Sequence, residues 1–141
     1  MTDIEIAKSN LAGHTISLCK NGKTITDDKR GIAPMADFLR RNVDLRGYSV
    51  ADLVVGKAAA MLFSKAGIAE VYAKTLSLSG KAALEKHGIK YSYGVLTERI
   101  VNRQGTDVCP MEKTVETVDD VEEAYVLLQE RLAELRTAVK I

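Results

Sequence analysis

One pattern, written twice, does most to limit what this chain can fold into. GKAAAMLFSKAGIAEVYA begins at Gly56, and GKAALEKHGIKYSYGV begins at Gly80, twenty-four positions later. Each runs Gly-Lys-Ala-Ala, a helix-like stretch, Gly-Ile, then a strand-like segment. The first predicts a helix to about Ala66 and a strand over AEVYAKTL. The second predicts a helix to about His87 and a strand near KYSYG. Gly67 and Gly88 stand where left-handed C-caps end helices. Helix–strand–helix–strand at this spacing needs crossover connections, and crossovers join parallel strands. Four shared residues are few, so recurrent αβ grammar explains the repeat without any duplication.

The flanking segments fill out the architecture. DIEIAKSNLAG predicts a short helix ending at Gly13, with Ile4, Ala7, Leu11 and Ala12 on one face. HTISLCK, NGK and TITDD read as a β-hairpin, because Ile16 and Leu18 alternate with polar neighbours and Asn21-Gly22 is a strong hairpin signal. Pro34 suits the first turn of a helix through Asp37, Phe38, Leu39 and Arg41. Asn42 to Tyr48 reads as a polar connection. VLTERIVN reads as a further strand, with Val95, Thr97, Arg99 and Val101 on one face. NRQGTDVCPMEKTVET has turn chemistry and little periodicity, so it reads as a loop with a short turn. From about Val118, the residues Val121, Ala124, Tyr125, Leu128, Leu132, Leu135 and Val139 recur at helical spacing. No linker divides the chain. The expectation is one domain over residues 1–141, of α/β class, with a hairpin followed by αβ units.

Composition excludes several functions. The chain has 141 residues, 46% hydrophobic and 28% charged, which suits a globular fold rather than a disordered one. Twenty basic and 19 acidic side chains leave a formal net charge of +1, which argues against bulk capture of nucleic acid or of an anionic membrane. Lys20, Lys23, Lys29, Arg30, Arg40, Arg41 and Arg46 are interleaved with Asp27, Asp28, Asp37 and Asp44, the mixed pattern of a solvated face. The longest apolar run is too short to span a bilayer, and MTDIEIAKSN has no signal-peptide core. A cytoplasmic protein is expected. Cys19, Cys109, His14 and His87 have neither disulfide-framework nor zinc-site spacing, so no metal or cofactor is expected.

Three stretches carry chemistry. Gly56-Lys57 is not a phosphate loop, since the first glycine and the hydroxyl that a P-loop needs are Ala51 and Ala58 here. Gly80-Lys81 fails in the same way at Thr75 and Ala82. Each pair still heads a helix, where free amides and the helix dipole favour an anion. The plain alternative is a glycine that permits tight packing and a lysine left in water. For Lys57 the two readings balance, because Ala58 to Phe63 is apolar on every side and implies a buried helix beside a cleft. Ser79 is a sufficient N-cap for a helix starting at Gly80. Ser77, at a strand end, is a candidate pocket hydroxyl. Cys109, in a polar loop before Pro110, would be a nucleophile if Lys57, Arg103 or Lys113 lowered its pKa. The commoner fate of a free cysteine is that of a small apolar residue.

These motifs bear a resemblance. D-x-x-x-GKAAA, T-x-S-x-S-G-x-A-A-L, VNR and CP-x-E, over about Ile16 to Leu128, resemble a small prokaryotic domain-of-unknown-function family with a cytidine-deaminase-like fold lacking the zinc ligands. The resemblance implies a three-layer α-β-α sandwich with a mixed sheet. True deaminases carry His-Ala-Glu at one helix start and Pro-Cys-x-x-Cys at the next, which hold zinc and move a proton. The matching positions here are Val55-Gly56-Lys57 and Leu76 to Gly80, with no histidine or cysteine, so zinc-dependent deamination is not expected. The resemblance further implies a cleft lined by Asp52, Gly56, Lys57, Ser77 and Ser79, joined by Asn102, Arg103, Cys109 and Glu112.

Two functions follow as expectations. In the first, the cleft binds a small anionic or nucleotide-like metabolite. Lys57 holds the anion or lowers the Cys109 pKa, Glu112 or Asp52 moves a proton, and Ser77 orients the ligand. In the second, the cleft is filled by side chains, and the domain is a non-catalytic interaction or regulatory module. A homodimer is compatible with the fold that the chain resembles, although no residue specifies one.

Overall fold

The computed structural model of the chain describes residues 1–102 and 104–140, with side chains as far as residue 136. Helix α1 (Asp3–Asn10) leads into strands β1 (Ile16–Lys20) and β2 (Lys23–Asp27). Asn21 and Gly22 form the two-residue turn between them, at φ 50° and 82°. Such a turn needs left-handed backbone at both positions, which asparagine and glycine accept. Asp3 secures the turn from outside, its Oδ2 accepting from Asn21 N at 3.0 Å. Helix α2 (Ala33–Arg40) follows, with Pro34 in its first turn as expected.

The next five elements are β3 (Ser49–Val55), α3 (Lys57–Ala66), β4 (Glu70–Ser77), α4 (Leu78–Lys86) and β5 (Lys90–Thr97). They make one sheet in the order β2-β1-β3-β4-β5. β1 is antiparallel to β2 and β3, whereas β3, β4 and β5 run parallel. The repeat therefore marks two crossover units, as expected. Gly67 and Gly88 adopt left-handed φ of 76° and 68° at the two helix ends. Helices α5 (Pro110–Val115) and α6 (Val121–Lys140) complete the chain. Asp120 caps α6, its Oδ2 accepting from Glu123 N at 2.8 Å.

Four details differ from the sequence reading. Residues 49–55, given no element, form the middle strand of the sheet. Ser49 to Asp52 are all buried, so the alternation that marks a half-exposed strand is missing. VLTERIVN is not a separate strand: Val95 to Thr97 end β5, and Val101 makes only an isolated bridge with Val108. The segment read as a loop contains the α5 helix, started by Pro110 in its first turn. Helix α4 starts at Leu78, and its N-cap is Ser77 rather than Ser79.

The sheet has a thin face and a thick face. On the thin face α1 packs through Ala7 and Leu11 against Cys19 and Ala51. On the other, α3 and α4 pack on the strands, and α2 and α6 pack on α3 and on each other, which makes the expected three layers. There Leu18, Val50 and Val71 meet Met35, Phe63, Leu84 and Leu128 in a single large core. Helix α3 lies at its centre, and Ala58 through Phe63 are buried without a break. Among the described residues no helix is long and apolar enough to cross a membrane.

Candidate functional site

The starts of α3 and α4 meet at the C-terminal edge of the parallel strands. Ligands commonly bind there in open α/β sheets. A Cβ placed on Gly80 would lie 2.8 Å from Val55 O and 3.0 Å from Gly56 C and Cα. Glycine at 80 is thus what lets the two helix starts touch. Ser77 is fully buried and accepts from Gly80 N through Oγ at 3.0 Å. Its hydroxyl also meets Ser79 Oγ at 3.1 Å. Ser77 is a helix cap, and that use occupies the hydroxyl expected to orient a ligand.

The anion position at the head of α3 is occupied from within the chain. Gly56 is the N-cap and has no side chain to offer. Glu112, from α5, supplies the cap: Oε1 accepts from Lys57 N and Oε2 from Ala58 N, both at 2.8 Å. Ser79 Oγ donates to Glu112 Oε1 at 3.4 Å. Both carboxylate oxygens therefore lie on free amides at the positive end of a buried helix. The backbone of Gly56 is extended, at φ −115° and ψ −167°, so its glycine is not a conformational requirement. It is a spatial one, because a Cβ there would lie 2.1 Å from Glu112 Oε1.

Beside this cap lies a cleft of about 240 Å³, lined among others by Lys57, Ser79, Lys86, His87 and Asp119. Lys57 turns its ammonium into it. The Nζ donates to Glu116 O at 3.2 Å and stands 3.6 Å from Asp119 Oδ1. Lys86 Nζ reaches the same Asp119 oxygen at 3.7 Å. The Lys57 side chain is 18% exposed and that of Asp119 is 75% exposed, so the acid sits at the mouth and the lysine deeper inside.

The sequence-selected residues divide accordingly. Gly56, Lys57, Ser77, Ser79 and Glu112 come together at the helix starts. Cys109 is the half-buried N-cap of α5, packs on the main core and does not line the cleft. Asn102 closes a local turn, its Oδ1 accepting from Thr106 N at 3.1 Å and its Nδ2 donating to Thr106 Oγ1 at 3.2 Å. Asp52 is buried within β3, where burial pushes its carboxyl up to about 8 against the opposing pull of the Val54 and Leu53 amides. Arg103 lies outside the described residues. Lys86, His87 and Asp119 escape sequence reasoning. The local signals are His87 beside Gly88, which reads as a surface or capping residue, and Asp119 at the start of the last helix. Among the described residues, no three histidine, cysteine, aspartate or glutamate side chains are grouped to hold a metal ion.

A family model described as a domain of unknown function, DUF1893, matches residues 7–132. The chain belongs to the DUF1893 family. The crystal structure of a DUF1893 family protein from Thermotoga maritima is similar to it at 26% identity and a TM-score of 0.79, over 86% of this chain and 83% of that one. The crystal structure of a diaminohydroxyphosphoribosylaminopyrimidine deaminase/5-amino-6-(5-phosphoribosylamino)uracil reductase from the same organism is similar at 14% identity and a TM-score of 0.46, over 80% of this chain and 40% of that one. No curated protein matches the chain. The DUF1893 match spans both helix starts and α5, so Gly56, Gly80 and Glu112 all lie within the family region.

Proposed function

We propose that this DUF1893 domain is a non-catalytic interaction or regulatory module, working in the cytoplasm, whose anion-accepting helix start is closed by its own Glu112. The observation that supports this is the pair of 2.8 Å hydrogen bonds from Lys57 N and Ala58 N to the two Glu112 oxygens. An incoming phosphate or carboxylate would have to displace a ligand already tethered to the chain. Glu112→Ala tests the reading, since it vacates the site without touching α3. Phosphate or sulfate at matched ionic strength should then raise the melting temperature of the variant by several degrees and that of the parent by little. Equal stabilisation of both proteins would show that the Glu112 site is not the one the anion uses.

A second reading is favoured by one further observation. Lys57 and Lys86 converge on a single, mostly exposed Asp119 oxygen across an open cleft. In this reading a small anionic metabolite replaces the Asp119 carboxylate between the two ammonium groups. Titration calorimetry with nucleoside monophosphates against the parent, Lys86→Ala and Asp119→Asn tests it. Binding that is lost in the first variant and strengthened in the second is expected; binding unaffected by either rejects it.

A further inference from the structure

Strand β5 ends the sheet on one side and carries a single charge, Lys90 at its start. The opposite edge, β2, has Lys23 and Asp27 at its two ends. Charges on an edge strand discourage pairing with another chain. Along β5, Ser92 through Leu96 are exposed without a break. Tyr93, Val95 and Leu96 are 40%, 59% and 37% exposed. Strand β4 is the neighbour of β5 within the sheet, and among the described residues no strand pairs with the other side of β5. An exposed edge of this kind, with Tyr93, Val95 and Leu96 on it, is a template for one more strand.

We propose that β5 pairs antiparallel with β5 of a second copy of the chain, about a two-fold axis at Gly94. The sequence of the strand selects both the occupant and the register. With Gly94 opposite its own counterpart, Lys90 faces Glu98 of the second copy, Tyr93 faces Val95, and Ser92 faces Leu96. Each pair occurs twice by symmetry. Opposite charges, and an aromatic beside a β-branched residue, are among the favourable cross-strand pairs. Sliding one strand by two residues sets Lys90 against Leu96 or Ile100 and forfeits the charge match. Among the described residues the ion pair of Lys90 is a distant one, with Glu70 Oε1 at 4.0 Å, so its ammonium is available. A self-complementary strand with a charge at one end and its opposite just past the other fits a two-fold pair.

Light scattering coupled to size-exclusion chromatography, with sedimentation equilibrium on the full chain, tests the pairing. The parent should be a dimer. Glu98→Lys and Lys90→Glu each set like charges against one another, and each should weaken dimerisation about tenfold. The double variant should recover the parent affinity. Val95→Lys should give a monomer with unchanged circular dichroism. Gly94 is unsuited to substitution, because a Cβ there would lie 2.9 Å from Lys74 O. A parent that stays monomeric overturns the proposal and leaves the edge to a foreign strand. A dimer indifferent to Val95→Lys, or one weakened by both charge changes but not restored by their combination, overturns it as well.

Discussion

Two carboxyl groups near α3 are put to opposite uses by their surroundings. Glu112 accepts two backbone amides, and it does so through a gap that glycine keeps open. Gly56→Ala would drive a methyl group into that gap and push the carboxylate off the helix start. The expected cost is roughly 1–3 kcal/mol, from overpacking and from two amides left without an acceptor. Urea denaturation measures it, and adding Glu112→Ala to Gly56→Ala should cost little more. At Asp52 burial outweighs the pull of the Leu53 and Val54 amides. Unfolded, its carboxyl ionises near the ordinary 3.8; folded, it keeps its proton to about 8. Between those values the folded state holds a proton that the unfolded chain has released. Stability must therefore fall as pH rises from about 4 to about 8. By pH 7, about three pH units above the unfolded pKa, the loss amounts to roughly 4 kcal/mol. Asp52→Asn keeps the shape of the side chain and removes the ionisation. Its stability should be flatter across that window and should exceed that of the parent at pH 7.5. Unfolding curves with the same pH slope in both proteins would place the titrating group elsewhere.

At the scale of elements, Ser77 and Ser79 separate what the sequence could convey from what it could not. Sequence favours Ser79 as the cap, since Gly80-Lys81 looks like a helix start. The helix begins earlier, and Ser77 Oγ takes the Gly80 amide instead. Ser77→Ala should cost about 0.5–2 kcal/mol, the usual loss on removing a serine cap. Ser79→Ala should cost markedly less, and chemical denaturation of the two variants distinguishes them. The elements that sequence does reveal are those with local causes. The hairpin follows from Asn21-Gly22, and the ends of α3 and α4 follow from Gly67 and Gly88. The element that it hides is β3, where Ser49 to Asp52 are buried together and no alternation survives. The site is hidden for a related reason. Glu112 caps an amide 55 positions away, and the cleft unites Lys57 with Lys86 and Asp119 from two other parts of the chain. Residue type and spacing mark the helix starts; only tertiary packing shows that one of them is already filled.

The molecule as a whole is unevenly built about its sheet, and this bears on how it opens. The thick face buries a continuous core from the hairpin to α6, including Leu18, Phe63, Leu84 and Leu128. The thin face rests on α1, an eight-residue helix that contributes Ala7 and Leu11 over Cys19 and Ala51. So small a contact should come apart at lower free energy than the main core. Cys19 reports on it, because its thiol is fully buried beneath α1 and burial, with Asp3 beside it, pushes its pKa up. In a Cys109→Ser background, Cys19 should react with a thiol reagent through lifting of α1, at a rate only weakly dependent on urea. Leu11→Ala, at the C-cap of α1, removes a large side chain from this cluster and should speed that reaction by roughly tenfold or more. Phe63→Ala, on the thick face, should cost about 3–5 kcal/mol of global stability and change native-state labelling far less. If instead both variants accelerate labelling in proportion to their loss of global stability, with the full urea dependence of unfolding, then α1 does not open alone and both faces of the sheet belong to one cooperative unit.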